Sequence, residues 1–156
     1  MRRLAVAIAT CFGIGYLPVA PATWASAATA LALFFLLPHL DLVPLLGVTL
    51  GITVLAVSVC GPAEKSLGHD AHPIVIDEVA GMFVSLCAVP AFGRGAPPLW
   101  LTLGLAFVIF RVFDIAKPFP VDQSQRLPGG YGVVVDDLLA GLYTNAVLQL
   151  VVRAWR

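Results

Sequence analysis

Seven charged residues carry the chemistry this chain is capable of. Asp77 and Glu78 open one apolar stretch, Arg111, Asp114 and Lys117 follow at intervals of three, and Asp136 and Asp137 lead into another apolar stretch. Five carboxylates brought together repel one another and drive some of their number towards the neutral form unless positive charge is supplied. A hard divalent cation supplies it. An all-oxygen ligand set suits magnesium, which keeps several waters and is commonly shared with phosphate oxygens. Arg111 and Lys117 can hold the face of a phosphate turned away from the metal.

The rest of the chain says where this chemistry takes place. Of 156 residues, 60% are hydrophobic and only 12% charged, about half the charged share of ordinary soluble domains. Mean hydropathy is +0.95. A soluble fold this apolar could not cover its surface, so the chain reads as an all-α integral membrane bundle. Zero net charge says nothing about partners, and no interleaving of basic and aromatic residues points to nucleic acid. Cys11, Cys60 and Cys87 are widely spaced in apolar surroundings and read as small hydrophobes. The opening MRRLAVAIATCFGIGY mimics a signal peptide, but cleavage would remove or truncate the motif that begins at Gly13, so it is read as retained.

Residues 4–12 are apolar but too short to span a membrane. GIGYLPVAPATWAS, residues 13–26, is a non-helical approach to a helix over about 24–37, with Thr23 as its N-cap. Free N–H groups at such a helix start form an anion site, although Thr23 can equally do no more than cap. Further apolar segments fall at about 43–60, 79–92, 99–113 and 138–152, giving about four to five short transmembrane helices. Pro118 ends the helix at Lys117, leaving that side chain free to swing at the membrane surface. GGYG at 129–132 reads as a reversal, and His69 and His72 as solvated loop histidines whose spacing matches no zinc signature. Tyr16, Trp24, Trp100, Tyr143 and Trp155 fit interfacial anchors.

With those crossings, the N-terminus and the 61–78 and 111–137 links share one face. That face holds Arg2, Arg3, Lys65, Arg111, Lys117 and Arg126, against Arg94, Arg153 and Arg156 on the other, and the basic excess makes it cytoplasmic. All five carboxylates and the Thr23 helix start then meet at one membrane face, as a site assembled from three segments requires. Carboxylates and basic clamps at a membrane face suggest phosphoryl chemistry on a lipid headgroup. Intramembrane charges also mark ion pathways, so a small transporter or ion-binding bundle is the alternative.

The motifs resemble the phosphatidylglycerophosphatase A family over nearly the whole chain, which implies a single membrane domain over residues 1–156. GIGYLPVAPATWAS resembles its N-terminal block, IVIDEVAGM its acidic block, and FRVFDIAKPFPV and GGYGVVVDDLLAGLY its two remaining signatures. The resemblance implies magnesium-dependent hydrolysis of phosphatidylglycerophosphate to phosphatidylglycerol and phosphate in a bacterial-type inner membrane. Carried onto this chain, it implies catalytic roles for Asp77 and Asp114, with Asp77 as general base. Arg111, Lys117, Thr23 and Ser26 would bind the phosphate, and Asp77, Glu78, Asp136 and Asp137 the metal. Attack by water and an aspartyl-phosphate intermediate are both compatible with these residues. Where the family has glycines, this chain has Ala22 and Ala25. Alanine resists positive φ, so a relative that keeps the fold without catalysis is a further alternative.

Overall fold

The computed structural model describes residues 2–68, 71–89 and 95–155, and these form helices joined by short links. Helix α1 covers Arg2–Ala9 and is followed by a 3-10 segment, Cys11–Tyr16. Helix α2 covers Pro21–Leu36, α3 Leu42–Leu67, α4 Ile76–Leu86, α5 Leu99–Ala116, α6 Val121–Ser124 and α7 Gly130–Trp155. Among the described residues, four helices are long and apolar enough to cross a membrane: α2 with its 3-10 extension to His39, α3, α5 and α7. The expected multi-pass helical bundle is thus the fold observed.

Helix α4 lies at its centre. Nine of its 11 residues are buried, Asp77, Glu78 and Ser85 among them. One face of α4, with Met82, Phe83 and Leu86, joins Leu33 of α2, Phe110 of α5 and Leu148 of α7 in one cluster. The other, with Ile76 and Ala80, joins Ala9 of α1, Ala56 and Cys60 of α3 and Val133 and Val134 of α7. The tightest approach is to α7. A Cβ on Gly141 would lie 2.5 Å from the Gly81 carbonyl oxygen, and one on Gly81 would lie 2.7 Å from the Asp137 carbonyl oxygen. Only glycine allows two helix backbones to come this close.

At 1.5 Å per residue, α4 is only about 16 Å long against a hydrocarbon core of about 30 Å, so its C-terminal carbonyls end at membrane depth. Such groups need partners there. Asn145 of α7 provides them, its Nδ2 reaching the carbonyls of Val84, Ser85 and Cys87 at 3.2, 3.2 and 2.6 Å. Gln149 in turn donates to Asn145 Oδ1 at 2.9 Å, which orients the amide.

Helix boundaries depart from the sequence reading in ways that matter. Helix α7 begins at Gly130 rather than near 138, so Asp136 and Asp137 lie within a helix and not in a link. The reversal at GGYG shrinks to Gly129, at φ +61°. Helix α3 runs through Pro62 to Leu67, and α4 starts at Ile76 and stops at Leu86. Helix α5 ends at Ala116, as expected from Pro118, which disfavours right-handed helix at Lys117; Lys117 takes a left-handed conformation instead. Of the expected interfacial anchors, Tyr16, Trp24, Trp100 and Trp155 are exposed. Tyr143 is instead tied down, its hydroxyl donating to the Phe119 carbonyl at 2.8 Å. His69, Arg94 and Arg156 lie outside the described residues.

Candidate active site

Four stretches of chain converge at one end of the bundle. A cavity of about 300 Å3 is walled by Ala20, Pro21 and Ala22 at the start of α2 and by Ala71, His72 and Ile74 ahead of α4. Asp77 and Glu78 from the first turn of α4, Arg111, Asp114 and Lys117 from the end of α5, and Asp136 and Asp137 from α7 complete it. All seven charged residues singled out in the sequence line this one cavity. Four of the five carboxylate residues, Asp77, Glu78, Asp136 and Asp137, are buried.

The two acidic pairs are built alike. In each, the first aspartate accepts a hydrogen bond from the backbone N–H of the second residue: Asp77 Oδ1 from Glu78 at 3.0 Å, and Asp136 Oδ1 from Asp137 at 3.1 Å. The second member of each pair then joins Asp114. Glu78, Asp114 and Asp137 each offer one carboxylate oxygen, and these oxygens lie within 4.8 Å of one another. Close, hard oxygen donors of this kind fit a divalent cation such as magnesium.

Positive charge sits on both flanks. Arg111 Nη1 donates to Glu78 Oε1 at 2.7 Å and lies 3.0 Å from Asp114 Oδ2. Lys117 does not swing free, as the sequence suggested. Its Nζ donates to Asp136 Oδ2 at 2.7 Å, because the left-handed turn at Lys117 directs the chain back towards α7. Burial opposes the Lys117 charge, but the hydrogen bond to Asp136 and the nearby charges of Asp136, Asp114 and Asp137 outweigh it and raise its pKa.

Thr23 does not cap α2. The cap position is Ala20, at φ 47°, with no side-chain cap bond, and Thr23 lies inside the first turn. Pro21, which lacks an N–H, starts the helix one turn earlier than a Thr23 cap allows. The first intrahelical bond runs from Trp24 N–H to the Ala20 carbonyl at 3.2 Å, which leaves the backbone N–H groups of Ala22 and Thr23 at the free end of the helix. Thr23 itself is absent from the cavity wall and faces a groove beside α5. Ala22 and Ala25 are both helical, so the glycines they replace are not needed for positive φ. The positive φ of this turn falls on Ala20.

Two further side chains hold the carboxylates. Ser26 Oγ donates to Glu78 Oε2 at 2.9 Å from one turn below the cavity. Gln125 Nε2 donates to Asp136 Oδ2 at 3.0 Å. Ser26, which the family resemblance makes a phosphate contact, here holds a carboxylate. Gln125 lies in the polar run DQSQR, where nothing singles it out.

A membrane-embedded helical bundle with paired acidic residues and basic clamps at one end defines the class: an integral membrane protein with a polar site at its surface. The family model described as Phosphatidylglycerophosphatase A matches residues 7–152. A Bacteroides thetaiotaomicron protein, provisionally named a phosphatidylinositol-3-phosphatase, is 36% identical over 94% of this chain and 92% of its own. Proteins named phosphatidylglycerophosphatase A from Haemophilus influenzae and Escherichia coli are 33% and 34% identical, each over 95% of this chain and over 88% and 83% of their own lengths. No solved structure matches. The chain belongs to the phosphatidylglycerophosphatase A family, and is a phosphoric monoester hydrolase.

Proposed function

We propose that this protein hydrolyses the terminal phosphate of phosphatidylglycerophosphate, giving phosphatidylglycerol and inorganic phosphate, with magnesium held by Glu78, Asp114 and Asp137. The observation that carries this reading is the meeting of that trio with Arg111 and Lys117 in one cavity at the end of a membrane bundle, in a chain of this family.

Phosphate monoesters hydrolyse extremely slowly unaided, so the site must stabilise negative charge as the transition state forms. Bound magnesium would supply charge neutralisation at the phosphoryl oxygens. Arg111 and Lys117 balance the remaining charge, and both are held in place by ion pairs at 2.7 Å. The free N–H groups at the start of α2 add donors on the same wall. Asp77, whose carboxylate is oriented by the Glu78 N–H, accepts a proton from water. Asp136 positions Lys117 and is itself fixed by Gln125. The acyl chains stay in the bilayer while the phosphate sits at the cytoplasmic face of the inner membrane.

The test is phosphate release from phosphatidylglycerophosphate by purified protein in detergent, with magnesium and with EDTA. Metal-dependent release is expected, and its absence from folded protein sinks the proposal. The Bacteroides relative favours a second headgroup, phosphatidylinositol 3-phosphate, for the same chemistry. A higher kcat/KM on that lipid would replace the substrate while keeping the reaction.

A further inference from the structure

The polar cavity adjoins two further hollows. One is a cleft lined by Gly15, Tyr16, Leu17, Pro18, His72 and Pro73 that shares Ala20, Pro21 and His72 with the cavity. It is made of links and helix ends and so opens at the aqueous end of the bundle. The other is a groove of about 510 Å3 between α2 and α5, lined by Thr23 on one side and by Phe107, Val108, Val112 and Ile115 with Arg111 on the other. The α5 residues recur at intervals of three and four, which places them in a stripe along one helix face. Arg111 belongs to both the groove and the cavity.

We infer that the α2–α5 groove holds the ester-proximal part of the lipid's acyl chains, and that the lipid reaches the site laterally between these two helices. Apolar exposure alone would not single out this face, since Leu50 on α3 is also exposed, as any lipid-facing residue is. What distinguishes the groove is Arg111, which it shares with the cavity. The groove's α5 lining is apolar on both sides of Arg111, from Phe107 to Ala116, and Arg111 turns from the groove into the cavity, where its guanidinium contacts Glu78 and Asp114. A phosphorylated lipid has the same polarity profile, with an anionic end joined to hydrocarbon. Thr23 stands where the two regimes meet, the level at which glycerol ester groups would lie. This assignment rests on the lipid phosphatase reading.

Two measurements test it. A phosphomonoester lipid with a photoreactive diazirine near its ester end is expected to label residues 107–116 and Pro21–Leu36 in the intact protein. A phosphatidylcholine with the same diazirine reports ordinary bilayer contact, and identical labelling by the two lipids overturns the proposal. In the second, Val112→Trp fills the groove. It is expected to raise KM for a dioleoyl substrate relative to a dihexanoyl one about tenfold, the loss of one or two methylene contacts. Leu50→Trp on α3 is expected to leave that ratio unchanged. A ratio insensitive to Val112→Trp also overturns the groove. Failure of the wild-type protein to hydrolyse either substrate overturns the phosphatase reading instead, and the labelling still decides where the lipid lies.

Discussion

At the scale of single residues, the acidic pairs divide their labour by position. Asp77 and Asp136 are tied to the backbone that follows them, while Glu78 and Asp137 meet Asp114. Glu78→Gln, Asp114→Asn and Asp137→Asn are each expected to weaken magnesium binding and to lower kcat by about 100-fold or more, the scale of losing one group that stabilises transition-state charge. Titrating phosphate release against magnesium separates the two effects. Asp77→Asn is expected to lower kcat with little change in the magnesium dependence, as a proton acceptor and not a trio member should. Arg111→Lys is expected to be far from conservative. The Arg111 Nη1 alone contacts both Glu78 and Asp114, and an ammonium lacks the further N–H donors of a guanidinium.

At the scale of elements, the site depends on how closely α4 and α7 approach, because Glu78 rides on one and Asp137 on the other. Gly141→Ala places a Cβ against the Gly81 carbonyl. The overpacking is expected to cost about 1–3 kcal/mol of stability and to lower kcat about tenfold or more by spreading the carboxylates. Thermal unfolding in detergent and phosphate release measure the two. Asn145→Leu acts at the far end of α4, where it removes the donor to three carbonyls. It is expected to destabilise the fold by about 1–2 kcal/mol while sparing the metal affinity, since Asn145 is two turns beyond the acidic pair on α7. A fall in metal affinity equal to that of Asp137→Asn would contradict this division.

At the scale of the whole molecule, the spanning helices alternate: α2 and α7 start, and α3 and α5 finish, at the end of the bundle that holds the cavity. The exposed Tyr16 and Trp24 lie towards that end, and Trp100 and Trp155 towards the other. If the site faces the cytoplasm, a cysteine at Ser66 beside it should resist an impermeant maleimide in intact cells and react once the membrane is opened. A cysteine at Gly95 should react from outside, with the three native cysteines replaced in both variants. The reverse pattern would place the site on the outer face.

Composition and hydropathy made the bundle legible, because a chain this apolar has no other way to satisfy its surface. The charged positions were legible for the same reason: Arg111, Asp114 and Asp137 are too costly in such a chain to be incidental. Pro118 likewise fixed the end of α5, since proline constrains the residue before it in any context. Tertiary structure decided the rest. Glycines and β-branched residues at 130–135 weaken an isolated helix, yet α7 begins at Gly130 because packing against α3 and α4 rewards their small size. Thr23 resembles a cap locally, but Pro21 sets the start of the helix, and the groove it faces exists only once α5 lies alongside. Which member of each acidic pair meets Asp114 depends on the rotation of α4 against α7, fixed where Gly81 and Gly141 touch. Local pattern names the residues able to do the chemistry, but long-range packing selects their partners, because those partners are distant in the chain: Glu78 meets Ser26 across 52 residues and Arg111 across 33.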